Sequence, residues 1–159
     1  MAHEVEKRIK TLIEQGKSKE EIKNILSAEM ETEAFDRFLR NYAELSRKES
    51  YFGWNLLLLL ILAAVTFRRI GIMFAAVSRS GIDNLIIAAW SFLVPALNLY
   101  LLWLIHRFHR LGYMFLLLLS VLSLLRPENR TLIGLVQTLP LIVLSGFLYV
   151  KLFPEGGKV

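Results

Sequence analysis

The densest group of residues with chemical potential is the run His106-Arg107-Phe108-His109-Arg110. On a helix its two histidines would be i, i+3 neighbours and could share a metal ion, but no carboxylate or third histidine lies nearby in sequence to complete a site. Two arginines and two titratable imidazoles at a membrane surface would attract anionic lipid headgroups. A set of charges that only orients the chain explains the pattern equally well, and we expect no metal.

Other forms of catalysis have little support in the residue types. The chain has no cysteine, which excludes disulfides, thiolate nucleophiles and Cys-ligated metals, and its third histidine is the remote His3. The middle of each apolar stretch holds no Asp, Glu, Lys, Arg or His, which argues against a proton-coupled transporter or an intramembrane protease. We therefore predict a protein that is not an enzyme and uses no cofactor.

Several uncharged polar residues lie inside the apolar stretches. They would either form hydrogen bonds between membrane helices or line an aqueous path in an oligomer. The main candidates for such an intramembrane site are Asn55, Ser91, Asn98, Gln137 and Thr138.

The composition divides the chain into two parts, one expected to lie in water and the other in a lipid bilayer. The 159 residues are 55% hydrophobic, with a mean hydropathy of +0.47, which exceeds what a small soluble surface can hide. Residues 1–50 hold 10 of the 19 basic and 11 of the 14 acidic residues. Residues 51–159 carry a formal charge of +6, located almost entirely between apolar stretches. This predicts a soluble head over 1–50 and a transmembrane bundle over 51–159.

The head has the pattern of three short helices. Apolar residues at helical spacing predict a first helix over 3–15, with Gly16 as its C-terminal cap. Ser18 and Glu21 form a capping-box pattern for a second helix over about 19–29, and Thr32 is a suitable N-cap for a third. Because the head has no net positive charge and no basic stripe, we expect no nucleic-acid partner.

Four apolar segments predict four membrane-spanning helices. They cover residues 52–67, 84–105, 111–125 and 131–150, and five-residue connections make the last three antiparallel neighbours. Residues 70–78 have an amphipathic pattern flanked by Arg68, Arg69 and Arg79 and are too few to span, so we predict a separate helix in the membrane interface. The alternative is that the first helix continues through them. The fold class is therefore all-α.

Charge and aromatic residues predict the orientation. With the head in the cytoplasm, that side carries 14 Lys and Arg against 5 on the other. Six aromatic residues that favour the headgroup boundary fall at the head end: Tyr51, Trp54, Tyr100, Trp103, Tyr113 and Tyr149. A polar N-terminus without a basic-then-apolar run predicts no cleaved signal peptide. We expect a prokaryotic inner membrane or a plasma membrane, with both termini cytoplasmic.

These features favour a membrane-anchored adaptor or regulatory subunit whose head binds a protein. Its expected partners are membrane lipids, with headgroup contacts from His106, Arg107, His109, Arg110, Arg68 and Arg69, and either a protein bound by the head or further copies of the chain. The alternative is a homo-oligomeric channel or pore gated by the head. An enzyme acting on lipid headgroups is the weakest hypothesis, because no general acid or base beyond the histidines is visible.

Overall fold

A computed structural model of the chain describes residues 2–26, 39–80, 85–125 and 127–154, and this described part is helical throughout, with no strands. The described residues of the head include two longer helices and a short one that ends at residue 50. The α-helices are α1 (Ala2–Glu14), α2 (Lys19–Leu26), α3 (Leu45–Ser50), α4 (Phe52–Ser80), α5 (Leu85–His106), α6 (Arg110–Ser123) and α7 (Leu132–Leu152), and a 3₁₀ helix covers Pro127–Arg130. The expected all-α fold is confirmed.

The connection between α1 and α2 forms as its residues predict. Gly16 has a φ of +80°, and its N–H donates to the Ile13 carbonyl, while that of Lys17 donates to the Leu12 carbonyl. This pair of hydrogen bonds closes α1 as a Schellman motif. Ser18 and Glu21 then exchange hydrogen bonds at 2.9 and 3.2 Å, so the capping box starts α2. The third head helix expected from Thr32 begins outside the described residues.

Helix α4 runs without a break for 29 residues, from Phe52 to Ser80. The predicted end of the first span at 67 and the separate helix over 70–78 are replaced by this continuous helix, which was the alternative interpretation. Residues 67–80 contain nothing that breaks a helix, since they include no proline and a single glycine, Gly71, which costs only about 1 kcal/mol. At about 1.5 Å per residue, α4 is roughly 44 Å long and exceeds a hydrocarbon layer of about 30 Å.

The four long helices α4 to α7 pack in a closed ring, in which each contacts the next and α7 returns to α4. The start of α4 meets the end of α5 and the start of α6, where Asn55 lies beside Ile105 and Tyr113. The end of α7 reaches the same level, because Arg47 of α3 donates to the carbonyl of Lys151 at 3.0 Å. Successive helices are therefore antiparallel, and the head lies at the end of the bundle where α7 finishes.

Two segments, Phe52–Ala75 and Leu132–Leu152, are long and apolar enough to cross a membrane. The described apolar stretches of α5 and α6 are shorter, Phe92–His106 and Arg110–Ser123. The bundle core contains Leu58, Leu62, Leu101, Ile105, Tyr113 and Leu148, whereas the head has its own core of Ile9, Ile13, Ile22, Leu26, Leu39 and Tyr42. The two cores are separate.

Candidate functional site

A buried polar network lies at the head end of the bundle. Tyr113 of α6 donates its hydroxyl to Asn55 Oδ1 of α4 at 2.7 Å, and both side chains are almost fully buried. The Ile105 carbonyl at the end of α5 lies 3.5 Å from Asn55 Nδ2 and 3.4 Å from the Tyr113 hydroxyl. Asn55 therefore connects three helices of one chain, which is the structural role considered for it above. The sequence identified Tyr113 only as an interfacial aromatic, and no local pattern indicated its partner.

The turn between α5 and α6 starts from the same carbonyl. Phe108 N–H donates to Ile105 O at 2.9 Å, and His109 N–H donates to Leu104 O at 3.0 Å. This is again a Schellman closure, but Phe108, with φ of 52°, occupies the left-handed position that glycine usually takes. A bulky residue in this conformation is strained, and such strain persists where the surroundings enforce it. His109 then caps α6, because its Nδ1 accepts a hydrogen bond from the Leu111 N–H at 3.3 Å.

The head docks on this turn. Tyr42 forms an antiparallel backbone bridge with His109, and the two rings make an edge contact at 5.2 Å between centroids. On the head side, the ammonium group of Lys10 lies 5.1 Å from the centre of the Tyr42 ring. Tyr42 therefore belongs to the head core and also makes the contact with the bundle.

A cavity of about 220 Å³ lies between the head and the turn, lined in part by Lys10, Glu14, Lys48, His106 and Arg107. Burial lowers the pKa of Lys48, and the nearby Glu14 carboxylate opposes this effect. We call this space the junction cavity. It carries more positive than negative groups and is suited to an anion.

A second group of charges lies beside the junction. Burial also lowers the pKa of Lys19 at the start of α2, with Glu44 acting in the opposite direction and Arg47 and Arg110 adding to the decrease. Arg47 forms an ion pair with Glu44 at 3.3 Å. The contact between head and bundle therefore combines these charged groups with apolar packing, because Ala43 of the head is fully buried in the bundle core.

The structure divides the six headgroup candidates into three pairs. His106 and Arg107 are exposed at the junction, with the Arg107 guanidinium 4.5 Å from the Trp103 ring centre. His109 and Arg110 are half-buried and used within the protein, since Arg110 donates to the Tyr149 hydroxyl at 2.7 and 3.1 Å. Arg68 and Arg69 lie towards the opposite end of the bundle, where Arg68 donates to Gln137 Oε1 of α7.

Another cavity of about 220 Å³ lies inside the bundle, in its half away from the head, with walls from α4, α5, α6 and α7. We call it the distal cavity. Three of the five intramembrane candidates, Asn98, Gln137 and Thr138, line it together with Arg69 and Ser120. Asn55 is separate, in the network with Tyr113. The side chain of Ser91 lies outside the described residues.

The start of α7 passes very close to the 3₁₀ helix beside this cavity. A Cβ atom on Gly134 would lie 2.5 Å from the carbonyl oxygen of Asn129. Asn129 in turn donates from its side chain to the Ser123 carbonyl at 2.8 Å and lines the cavity. The small residue at position 134 therefore sets how closely α7 approaches this edge of the cavity.

In the described part of the chain, no three His, Asp or Glu side chains come close enough to hold a metal ion. Comparisons with protein-family models, curated proteins and solved structures find no match for this chain. Function is therefore argued from the geometry alone.

Proposed function

We propose that the protein is a membrane-anchored adaptor or regulatory subunit, in which α4 to α7 all cross the membrane and the N-terminal head binds a cytoplasmic protein. The observation that carries this proposal is that the head has a hydrophobic core of its own, distinct from that of the bundle, with a cavity lined by several cationic groups between them. A head with its own core can keep its structure while its outer surface binds another protein.

Four spans are supported by the distribution of polarity around all four helices. Buried polar side chains such as Asn55, Thr138 and Ser145 lie inside, whereas large apolar residues lie outside. This holds for α5 and α6, whose exposed apolar side chains include Phe92, Leu93, Leu99, Phe115, Leu118 and Leu122. A water-soluble surface rarely carries such contiguous apolar area, whereas lipid accommodates it. Helix α5 has 22 residues, or about 33 Å, which is enough to span.

We further propose that the head lies on the cytoplasmic side of a prokaryotic inner membrane or of a plasma membrane, which the distribution of Lys and Arg supports. Because the chain lacks cysteine, Lys7→Cys in the head and Ser78→Cys near the far end of α4 provide matched single labelling sites, both exposed. In intact cells a membrane-impermeant maleimide should label the Ser78→Cys variant and leave the Lys7→Cys variant unlabelled until lysis. Labelling of both variants, or of Lys7→Cys alone, would contradict the orientation.

The adaptor role is tested at Ile25, a large apolar side chain of the head that is 46% exposed. We expect a photo-crosslinking residue at position 25 to form a discrete protein adduct in cells. A crosslinker at Phe115, on the lipid-facing side of α6, is the matched control. Loss of the adduct in a variant of an exposed neighbour outside the capping box, Asn24→Lys, with normal membrane insertion would support recognition by this face. Identical products from positions 25 and 115, or none from either, would count against the adaptor.

The channel alternative has less support. A pore around the axis of an oligomer needs polar side chains on the outer face of each copy, but Asn55, Asn98 and Thr138 point into the interior of a single bundle. The mass of the intact protein in lipid nanodiscs tests this. A monomer or dimer favours the adaptor, whereas a closed ring of four or more copies with ion flux in liposomes would favour the channel.

A further inference from the structure

The distal cavity contains polar groups for which the protein provides no partner. Within the described part of the chain, the side chains of Asn98, Ser120 and Thr138 line the cavity and form no hydrogen bond with another protein group. Ser120 and Thr138 are 6% and 8% exposed. No fully sealed side-chain nitrogen or oxygen in the described residues lacks a partner, so these polar atoms face the cavity space.

Unpaired amide and hydroxyl groups inside an apolar bundle are costly. Moving such a group out of water without a hydrogen bond costs about 1–3 kcal/mol by protein mutational data. Three of them around one cavity therefore favour an occupant that forms hydrogen bonds. Asn98 and both hydroxyls can donate as well as accept.

The charged groups in the cavity wall indicate that the occupant carries a negative charge. Arg69 lines the cavity, and the neighbouring Arg68 is held by Gln137, which also lines it. Among the described residues, no carboxylate lines the cavity. Arg69 already has an interaction within the chain, but its five N–H donors leave room for a further acceptor. Together with an amide and two hydroxyls it forms a set of donors that suits an anionic oxygen, and hydrogen bonds with an ionised partner are about twice as strong as neutral ones.

The remaining wall is apolar, with leucine and valine side chains that include Leu62, Leu116 and Leu141. The volume of about 220 Å³ is below the roughly 300–1,000 Å³ of pockets that enclose drug-sized ligands. The space is partly open, so a chain longer than the cavity can extend out of it. A small anionic head followed by one apolar chain matches both the walls and the size.

We propose that the distal cavity binds a fatty carboxylate, with its head on Arg69, Asn98, Ser120 and Thr138 and the first part of its chain against the leucines. This site is independent of the adaptor role, because it lies in the half of the bundle away from the head. It would make the protein responsive to single-chain acids in the membrane.

The test is native mass spectrometry of the full-length protein, released from detergent micelles after titration with palmitate. We expect a single palmitate adduct, and little or no binding of methyl palmitate, whose ester has no negative charge. Arg69→Gln should weaken palmitate binding at least tenfold, and the near-isosteric Thr138→Val should weaken it several-fold. Arg8→Gln in the head, an exposed arginine outside both cavities, is the matched control and should bind as the wild type does.

Three results would overturn the proposal. The first is equal binding of palmitate and its methyl ester. The second is an equal effect of Arg69→Gln and Arg8→Gln. The third is preferential binding of two-chain phosphatidylglycerol, which would assign the site to a phospholipid. Because valine has nearly the same shape as threonine, the Thr138→Val variant should keep the helical circular dichroism signal of the wild type. Weaker palmitate binding with this signal unchanged then reports loss of the site and not loss of the fold.

Discussion

The hydrogen bond between Tyr113 and Asn55 offers the sharpest test of the bundle. Tyr113→Phe removes only the hydroxyl, and it leaves Asn55 Oδ1 without its 2.7 Å donor in a site where Asn55 is 2% exposed. Leaving a buried acceptor unpaired costs about 1–3 kcal/mol, whereas hydrogen bonds between membrane helices average about 0.6 and reach about 1.7 kcal/mol. For a short, fully buried bond we expect the upper part of the membrane range, about 1–2 kcal/mol.

The partner substitution should cost less. In Asn55→Leu the Tyr113 hydroxyl still has the Ile105 carbonyl within 3.4 Å, so its donor keeps an acceptor after a small shift. The double variant removes both polar groups, and it should cost less than the sum of the single variants by about 1 kcal/mol, the range seen for residues in direct contact.

The measurement is reversible unfolding in mixed micelles of a mild detergent and dodecyl sulfate, followed by the helical circular dichroism signal. All four proteins of the cycle are compared under one condition. Strict additivity of the two single costs would show that the bond contributes nothing in this environment. A larger cost for Asn55→Leu than for Tyr113→Phe would refute the assigned direction of the hydrogen bond.

Three further predictions concern the turn, the start of α7 and the junction. Phe108→Gly should be more stable than Phe108→Ala by about 1 kcal/mol in the same unfolding assay. The reason is that alanine is strained in the left-handed backbone conformation of this position, whereas glycine is not. Equal stability of the two variants would contradict the positive φ. Gly134→Ala should destabilise by about 1–3 kcal/mol, the usual cost of overpacking, because its Cβ would collide with the Asn129 backbone. Gly71→Ala, also in a helix but with open space around it, is the control and should stabilise by up to about 1 kcal/mol. Lys48→Met should raise the free energy of unfolding at neutral pH, because burial lowers the pKa of this lysine and so disfavours its charged form in the folded protein. This gain in stability over the wild type should shrink as the pH rises from the lowered pKa towards about 10.4, the value expected in the unfolded chain. A gain in stability that grows with pH would refute the prediction.

The sequence patterns that predicted the structure correctly are those whose interactions are between residues close together in the chain. Gly16 and the Ser18–Glu21 capping box form as expected because each involves hydrogen bonds within a few residues. The last three of the four apolar segments also formed helices close to their predicted ends. The break predicted after residue 67 failed because it inferred a membrane boundary from Arg68 and Arg69, and charges alone do not interrupt backbone hydrogen bonding in a helix.

The site could be predicted only in part, because its content depends on which helices are neighbours. Asn55 and Asn98 look alike in sequence, each an amide within an apolar stretch. Asn55 accepts a hydrogen bond from Tyr113, which lies 58 residues further along the chain, whereas Asn98 lines the distal cavity. No spacing pattern encodes that difference, which arises when the four helices close into a ring.

The difference between Asn55, which has a hydrogen-bond partner, and Asn98, which has none among the described residues, applies to the two ends of the bundle as a whole. At the head end, polar groups are paired: Asn55 with Tyr113, Arg110 with Tyr149, and Arg47 with both Glu44 and the Lys151 carbonyl. Such groups hold the helix ends and the head in position. At the distal cavity the side chains of Asn98 and Thr138 form no hydrogen bond with the described part of the protein, and apolar residues of similar size would pack there without an unpaired group. Their presence is therefore better explained by an occupant than by stability, and for this reason the two ends of one bundle support different roles.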